Sequence, residues 1–106
     1  MMNSNEEILY FIEQWKPAQY LLTNGMCYWF AQILMLRFPH NEPILMYDEI
    51  ANHFGVNLIH GIYDATGEVS VKYCWKPIVD TDAFKDNLQW SRIVRDCILK
   101  EKIKEE

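Results

Sequence analysis

The sequence is poor in the features that mark several large functional classes. Its 106 residues include only four glycines, scattered at 25, 55, 61 and 67. No Gly-rich loop can therefore cradle a phosphate. The three cysteines (Cys27, Cys74, Cys97) are odd in number, with no C-x-x-C pair and no tight Cys/His cluster. That excludes a disulfide framework and a zinc site, and fits reduced thiols in a cytoplasmic protein. Basic residues are the minority, 10 Lys and Arg against 15 Asp and Glu, for a formal charge of −5. An acidic chain is a poor partner for nucleic-acid backbone or an anionic membrane, so neither is expected. Long apolar runs are missing too. The longest, Met26 to Met35, is broken by Gln32 and is too short to span a bilayer. The segment Met1 to Glu7 is polar and acidic, unlike a secretory signal. No H-E-x-x-H, EF-hand spacing or G-x-S-x-G occurs, and no metal or other cofactor is implied.

Apolar residues, by contrast, make up 50% of the chain and aromatic residues 14%, which is ample for the core of one domain covering 1–106. Asn3 or Ser4 can cap a first helix, with Glu6 and Glu7 in its first turn and Ile8, Leu9, Phe11, Ile12 and Trp15 on its apolar face. Pro17 ends it or opens a short turn through Tyr20 to Leu22. Thr23-Asn24-Gly25 breaks the chain, and Asn24 is the expected cap of the next helix, Met26 to Arg37. That helix is apolar on nearly all sides, the mark of a central helix. After Pro43 the pattern becomes that of strands: Ile44 to Tyr47, then His53 to Ile59, a turn at His60-Gly61, and Ile62 to Asp64. Val69 to Trp75 reads as a further extended piece, Pro77 to Asp82 as a loop, and Ala83 to Lys104 as a terminal helix. The expected fold is α+β: a central buried helix on a short antiparallel sheet, with a C-terminal helix.

Cys27 is the residue with the clearest chemical potential. It lies in the first turn of the central helix, where the dipole and the unpaired N–H groups of a helix start favour a thiolate and an oxyanion. A nucleophilic thiol needs a base and a group to orient that base. His53 opens the best strand, and Asp64 lies eleven residues later in the returning strand. If His60 and Gly61 alone form the turn, His53 and Asp64 share a face but stand four residues out of step, roughly 13 Å. A three-residue turn or a bulge would reduce this to about 7 Å, which side chains can bridge. His40 and His60 have loop settings and read as surface residues. Asp64 also has a plainer reading, as the residue that caps the turn before Thr66-Gly67. Trp29, Phe30, Trp75 and Trp90 read as core.

Asn24-Gly25-Met26-Cys27-Tyr28-Trp29-Phe30-Ala31, Asn52-His53-Phe54 and Ile62-Tyr63-Asp64-Ala65-Thr66-Gly67, in that order, resemble the minimal core of papain-like cysteine hydrolases. More narrowly, the chain resembles small bacterial and phage proteins related to the transglutaminase-like and NlpC-like groups. The resemblance covers Thr23 to Gly67 and implies Cys27 as nucleophile, His53 as base and Asp64 as its orienting partner. Such peptidases often carry a Gln several residues before the Cys to complete the oxyanion hole. Here Gln19 stands eight residues before Cys27.

Two functions follow as expectations. One is a thiol hydrolase or acyl-transfer enzyme acting on an amide, isopeptide or thioester bond. So small a chain would take a protein or peptide substrate on its aromatic surface, or form its cleft as a homodimer. The other is a non-catalytic phage or prophage protein that uses the same fold to bind and inhibit a host protein. A Cys27 sulfur that is buried, or more than about 6 Å from the His53 ring, would count against the enzyme unless a lid moves.

Overall fold

The computed structural model describes residues 1–81. The expected terminal helix, with Trp90 and Cys97, lies outside the described residues. Within them the fold is α+β, as expected: three α-helices and a five-stranded antiparallel sheet.

Helix α1 (Asn5–Glu13) starts at a capping box. Ser4 Oγ accepts from the Glu7 N–H, and Glu7 Oε1 accepts from the Ser4 N–H, so two otherwise unpaired donors are satisfied reciprocally. Its apolar stripe buries Ile8 and Ile12 and packs Leu9 and Phe11 against the core, and Trp15, just past its end, packs there too. Pro17 sits in a single 3₁₀ turn, Lys16–Ala18, which leads into the short helix α2 (Gln19–Thr23). Asn24 does not cap the next helix. Its side-chain amide donates back to Tyr20 O and Thr23 Oγ1 and so closes the end of α2. Helix α3 (Cys27–Arg37) begins instead at Met26, with no side-chain cap. Cys27, Phe30, Ala31 and Leu34 form its buried line, whereas Trp29 and Leu36 are exposed.

A 3₁₀ turn at Pro39–Asn41 leads into the sheet. Strands β1 (Ile44–Asp48), β2 (His53–Asn57), β3 (Ile62–Asp64) and β4 (Gly67–Glu68) form a meander of consecutive hairpins. Strand β5 (Lys76–Pro77) returns to the outer side of β1, giving the order β4-β3-β2-β1-β5. Residues 69–75, expected to be extended, are not a strand. They connect β4 to β5 from one edge of the sheet to the other.

Side chains alternate across the sheet. Phe54, Val56 and Tyr63 point to the helical side, where Phe54 meets Tyr28 of α3 edge-on at 5.1 Å. His53, Gly55 and Asp64 point to the other side. The β2–β3 register pairs Val56 with Tyr63 and Asn57 with Ile62. The chain therefore reverses over four residues, Leu58–Gly61, rather than over His60-Gly61 alone. The reversal is closed by the Leu58 N–H on Gly61 O, with Ile59 in the left-handed region at φ 76°. This longer turn has a direct consequence for the site. Continuing the register places Asp64 level with Gly55, two residues from His53 rather than four.

Candidate active site

The site is built where β2 begins, β3 ends and α3 starts. His53 is fixed at the head of β2 by the turn before it. The Asp48 carboxylate accepts from the Ile50 and Ala51 N–H groups, and Asn52 reverses the chain at φ 51°. Asp48 and His53 are paired across β1 and β2. From there His53 Nε2 donates to Asp64 Oδ2 at 2.7 Å, with both side chains nearly sealed from solvent. The other carboxylate oxygen of Asp64 accepts the Thr66 N–H at 2.7 Å and the Thr66 hydroxyl at 2.6 Å. Asp64 thus holds the turn before Gly67 and also holds the imidazole. The two readings of this residue describe its two oxygens.

Cys27 hydrogen-bonds the same imidazole from the start of α3. With Nε2 engaged by Asp64, Nδ1 is the ring nitrogen that faces the thiol. The three expected site residues are brought together in the order Cys27–His53–Asp64. All three are buried, and Cys27 is only 5% exposed.

Electrostatics favour the charged ring. Burial alone would drive the proton off His53, but hydrogen bonds to Asp64 and Cys27 and the negative charge on both outweigh it. The His53 pKa is pushed up to about 9. Burial works against the Asp64 carboxylate as well, yet the hydrogen bonds from His53 and Thr66 hold it below the usual carboxylate range. The arrangement suits an imidazolium between a carboxylate and a thiolate.

Several neighbours were not legible as site residues. Tyr73 lies against the His53 ring, centroids 4.8 Å apart and planes at 34°, with Trp75 behind it at 5.8 Å from His53. Trp75 is half-buried on this face of the sheet rather than in the main core, and Trp29 is 46% exposed. Gly55 makes the seat for Trp75: a Cβ there would come within 2.9 Å of the indole. Gln19 reaches the same end of the sheet, its amide donating to Ala65 O at 3.2 Å. The only sequence signal for the aromatic pair is its spacing. Tyr73 and Trp75 are two apart, so an extended stretch sets both on one side. As expected, His40 and His60 are exposed.

Among the described residues, no group of three or more His, Cys, Asp or Glu is placed to hold a metal ion. None of their helices is long and apolar enough to cross a membrane. A surface hollow of about 360 Å³ lies away from the site, between α1 and the end of α3, with Arg37 and Phe11 in its lining.

Fold and site together define a small α+β domain with a buried Cys–His–Asp cluster under an aromatic cover. Residues 7–104 match the family model described as Phage YunG-like protein, and the chain belongs to that family. No curated protein matches the chain, and no solved structure does. The match agrees with the phage part of the expected resemblance and names no activity.

Proposed function

We propose that the protein is a papain-like thiol hydrolase or acyl-transfer enzyme, working in the cytoplasm on an amide, isopeptide or thioester bond of a protein or peptide. The observation that carries this reading is the single imidazole shared by Asp64, at 2.7 Å, and Cys27. In the first step the Cys27 thiolate attacks the carbonyl carbon, and the oxyanion forms at the positive end of the α3 dipole. Imidazolium His53 then gives its proton to the leaving amine or thiol as the bond breaks, leaving an acyl thioester on Cys27. Water, or an acceptor amine in acyl transfer, loses a proton to His53 as it attacks the thioester, and Cys27 leaves as thiolate. Asp64 accepts from Nε2 throughout, which keeps Nδ1 turned toward the sulfur.

A second reading is favoured by one observation, the burial of Cys27 to 5% exposure. In that reading the cluster is a structural core element of a phage protein that binds a host protein. Exposed Tyr10, Tyr20, Trp29 and Leu36 would then offer contact surface.

Alkylation by iodoacetamide from pH 5 to 9, read by mass spectrometry for each cysteine, separates the two. An activated Cys27 reacts below pH 7 and slows in His53→Ala. A Cys27 that titrates near the ordinary thiol value of about 8.5 in both proteins removes the enzyme reading.

A further inference from the structure

Strands β4 and β5 lie on opposite edges of the sheet, yet residues 69–75 are all that joins them. This short strap has to cross β3, β2 and β1. It crosses on the side that carries His53, Gly55 and Asp64, since Trp75 sits on the Cβ side of Gly55 and Tyr73 lies on the His53 ring. The strap is fastened at several points. The Val69 N–H bonds Ile62 O at 2.7 Å, and the Trp75 indole N–H bonds Val69 O at 2.9 Å. The Cys74 N–H bonds the second oxygen of Asp48 at 3.2 Å. Trp75 is therefore a fixed post, whereas Tyr73 is held by ring contacts with His53 and Trp75 and by a lysine, Lys72, over its ring at 5.6 Å.

From these contacts we infer that Tyr73 is a gate that holds the Cys27 thiol latent, with the Cys74–Asp48 hydrogen bond as its latch. This rests on the reading of Cys27 as the nucleophile and names the regulation of that site. Four inter-strand spacings separate β4 from β5, about 19 Å in all. The eight peptide steps from Glu68 to Lys76 reach roughly 27 Å at full extension. The slack of about 8 Å lets one side chain lift clear while both ends of the strap stay paired. Burial and the charges of Asp64, Asp48 and Cys27 all raise the Tyr73 pKa, which keeps its hydroxyl neutral. An acyl group reaching Cys27 past the His53 ring displaces Tyr73, so a substrate that can lift this ring opens the site and bulk water does not.

The test measures accessibility and not activation. Iodoacetamide is applied at pH 9.5, where an ordinary thiol is ionised with or without His53. Each protein unfolded in urea supplies its intrinsic alkylation rate as the control. The expected result is a rise of about tenfold in the Cys27 rate for Tyr73→Ala, equivalent to roughly 1.4 kcal/mol. Tyr73→Phe, which keeps the ring, stays at the wild-type rate. An unchanged or slower Cys27 in Tyr73→Ala overturns the gate. If that variant does not fold, hydrogen exchange on the wild type decides. A latch that opens exchanges the Cys74 amide far faster than the Val56 amide, and equal protection of the two overturns the gate. Failure of the gate leaves the pH dependence of Cys27 intact. Failure of activation leaves the Tyr73→Ala rate increase intact, so the two outcomes are told apart.

Discussion

Asp64→Asn tests the site most sharply, because the two oxygens of Asp64 have different partners. Oδ1 accepts two donors from Thr66, and Oδ2 accepts from His53. An asparagine can keep the Thr66 bonds only by placing its single oxygen there. Its NH₂ then faces His53 Nε2, which must become an acceptor. The neutral ring is then held as the Nδ1–H tautomer, which has no free nitrogen lone pair toward the sulfur with which to take the thiol proton and form the ion pair. In the wild type, the rise of the His53 pKa from 6.5 to about 9 corresponds to a preference for the charged ring of roughly 3 kcal/mol. Removing Asp64's charge and accepting oxygen leaves burial, the opposing effect, with only Cys27 against it. The His53 titration should move down by at least two pH units, and Cys27 alkylation at pH 6 should fall about a hundredfold as the thiolate loses its counter-ion. NMR of ¹³C/¹⁵N-labelled histidine against pH follows the ring directly, and His40 and His60 report as exposed references. A His53 that still titrates near 9 in the variant would show that Asp64 is only a turn residue. A wild-type His53 that stays neutral at pH 7 would refute the ion-pair description altogether.

Other consequences can be measured on the folded protein. The raised His53 pKa makes its contribution to stability complete below pH 6.5 and lost as pH rises through about 9, while the lowered Asp64 pKa makes its contribution present above 3.8 and lost as pH falls through its folded value. Urea unfolding across pH should therefore peak between about pH 4 and 6.5, and a maximum above pH 9 would contradict the assignment. Gly55→Ala sets a methyl 2.9 Å from Trp75 and 3.1 Å from the Tyr63 carbonyl, and should cost about 1–3 kcal/mol by urea unfolding, whereas a neutral effect would mean that Trp75 is not seated there. Asn41 is fully buried and bonds Asn3 N, Asn3 O and Leu58 O; Asn41→Leu strands these groups and should cost about 1–3 kcal/mol in the same assay.

The sequence carried much of this site because its parts are local. A cysteine at the start of an apolar helix, a histidine at the head of an alternating strand and an aspartate in the returning strand are each set by short-range pattern. The face shared by His53 and Asp64 also follows from parity along paired strands. Their spacing along the sheet did not, since it depends on how many residues turn the chain. Here Ile59, a β-branched residue with low preference for positive φ, occupies the left-handed position and lengthens the turn. Asn24 was assigned to the wrong helix because an asparagine between two helices can serve either, and only the backbone shows it bonding back to Tyr20. The strap was missed for a different reason. Residues 69–75 have strand-like composition, but their course is set by β5 joining β1, a pairing some thirty residues apart in sequence.

The return of β5 to β1 also dictates an order of assembly. Strands β1 to β4 close one after another by short hairpins, each with a small loop entropy, so they can form early and bring His53 to Asp64 as they do. The crossing segment can be laid down only once that sheet exists to be crossed. If assembly follows that order, and the strap covers Cys27 as inferred above, the histidine–aspartate pair is made while the sulfur beside it is still bare. Oxidants or electrophiles present during refolding should mark Cys27 at that stage far more heavily than they mark the finished protein, and a short pulse of reagent would date the moment of closure.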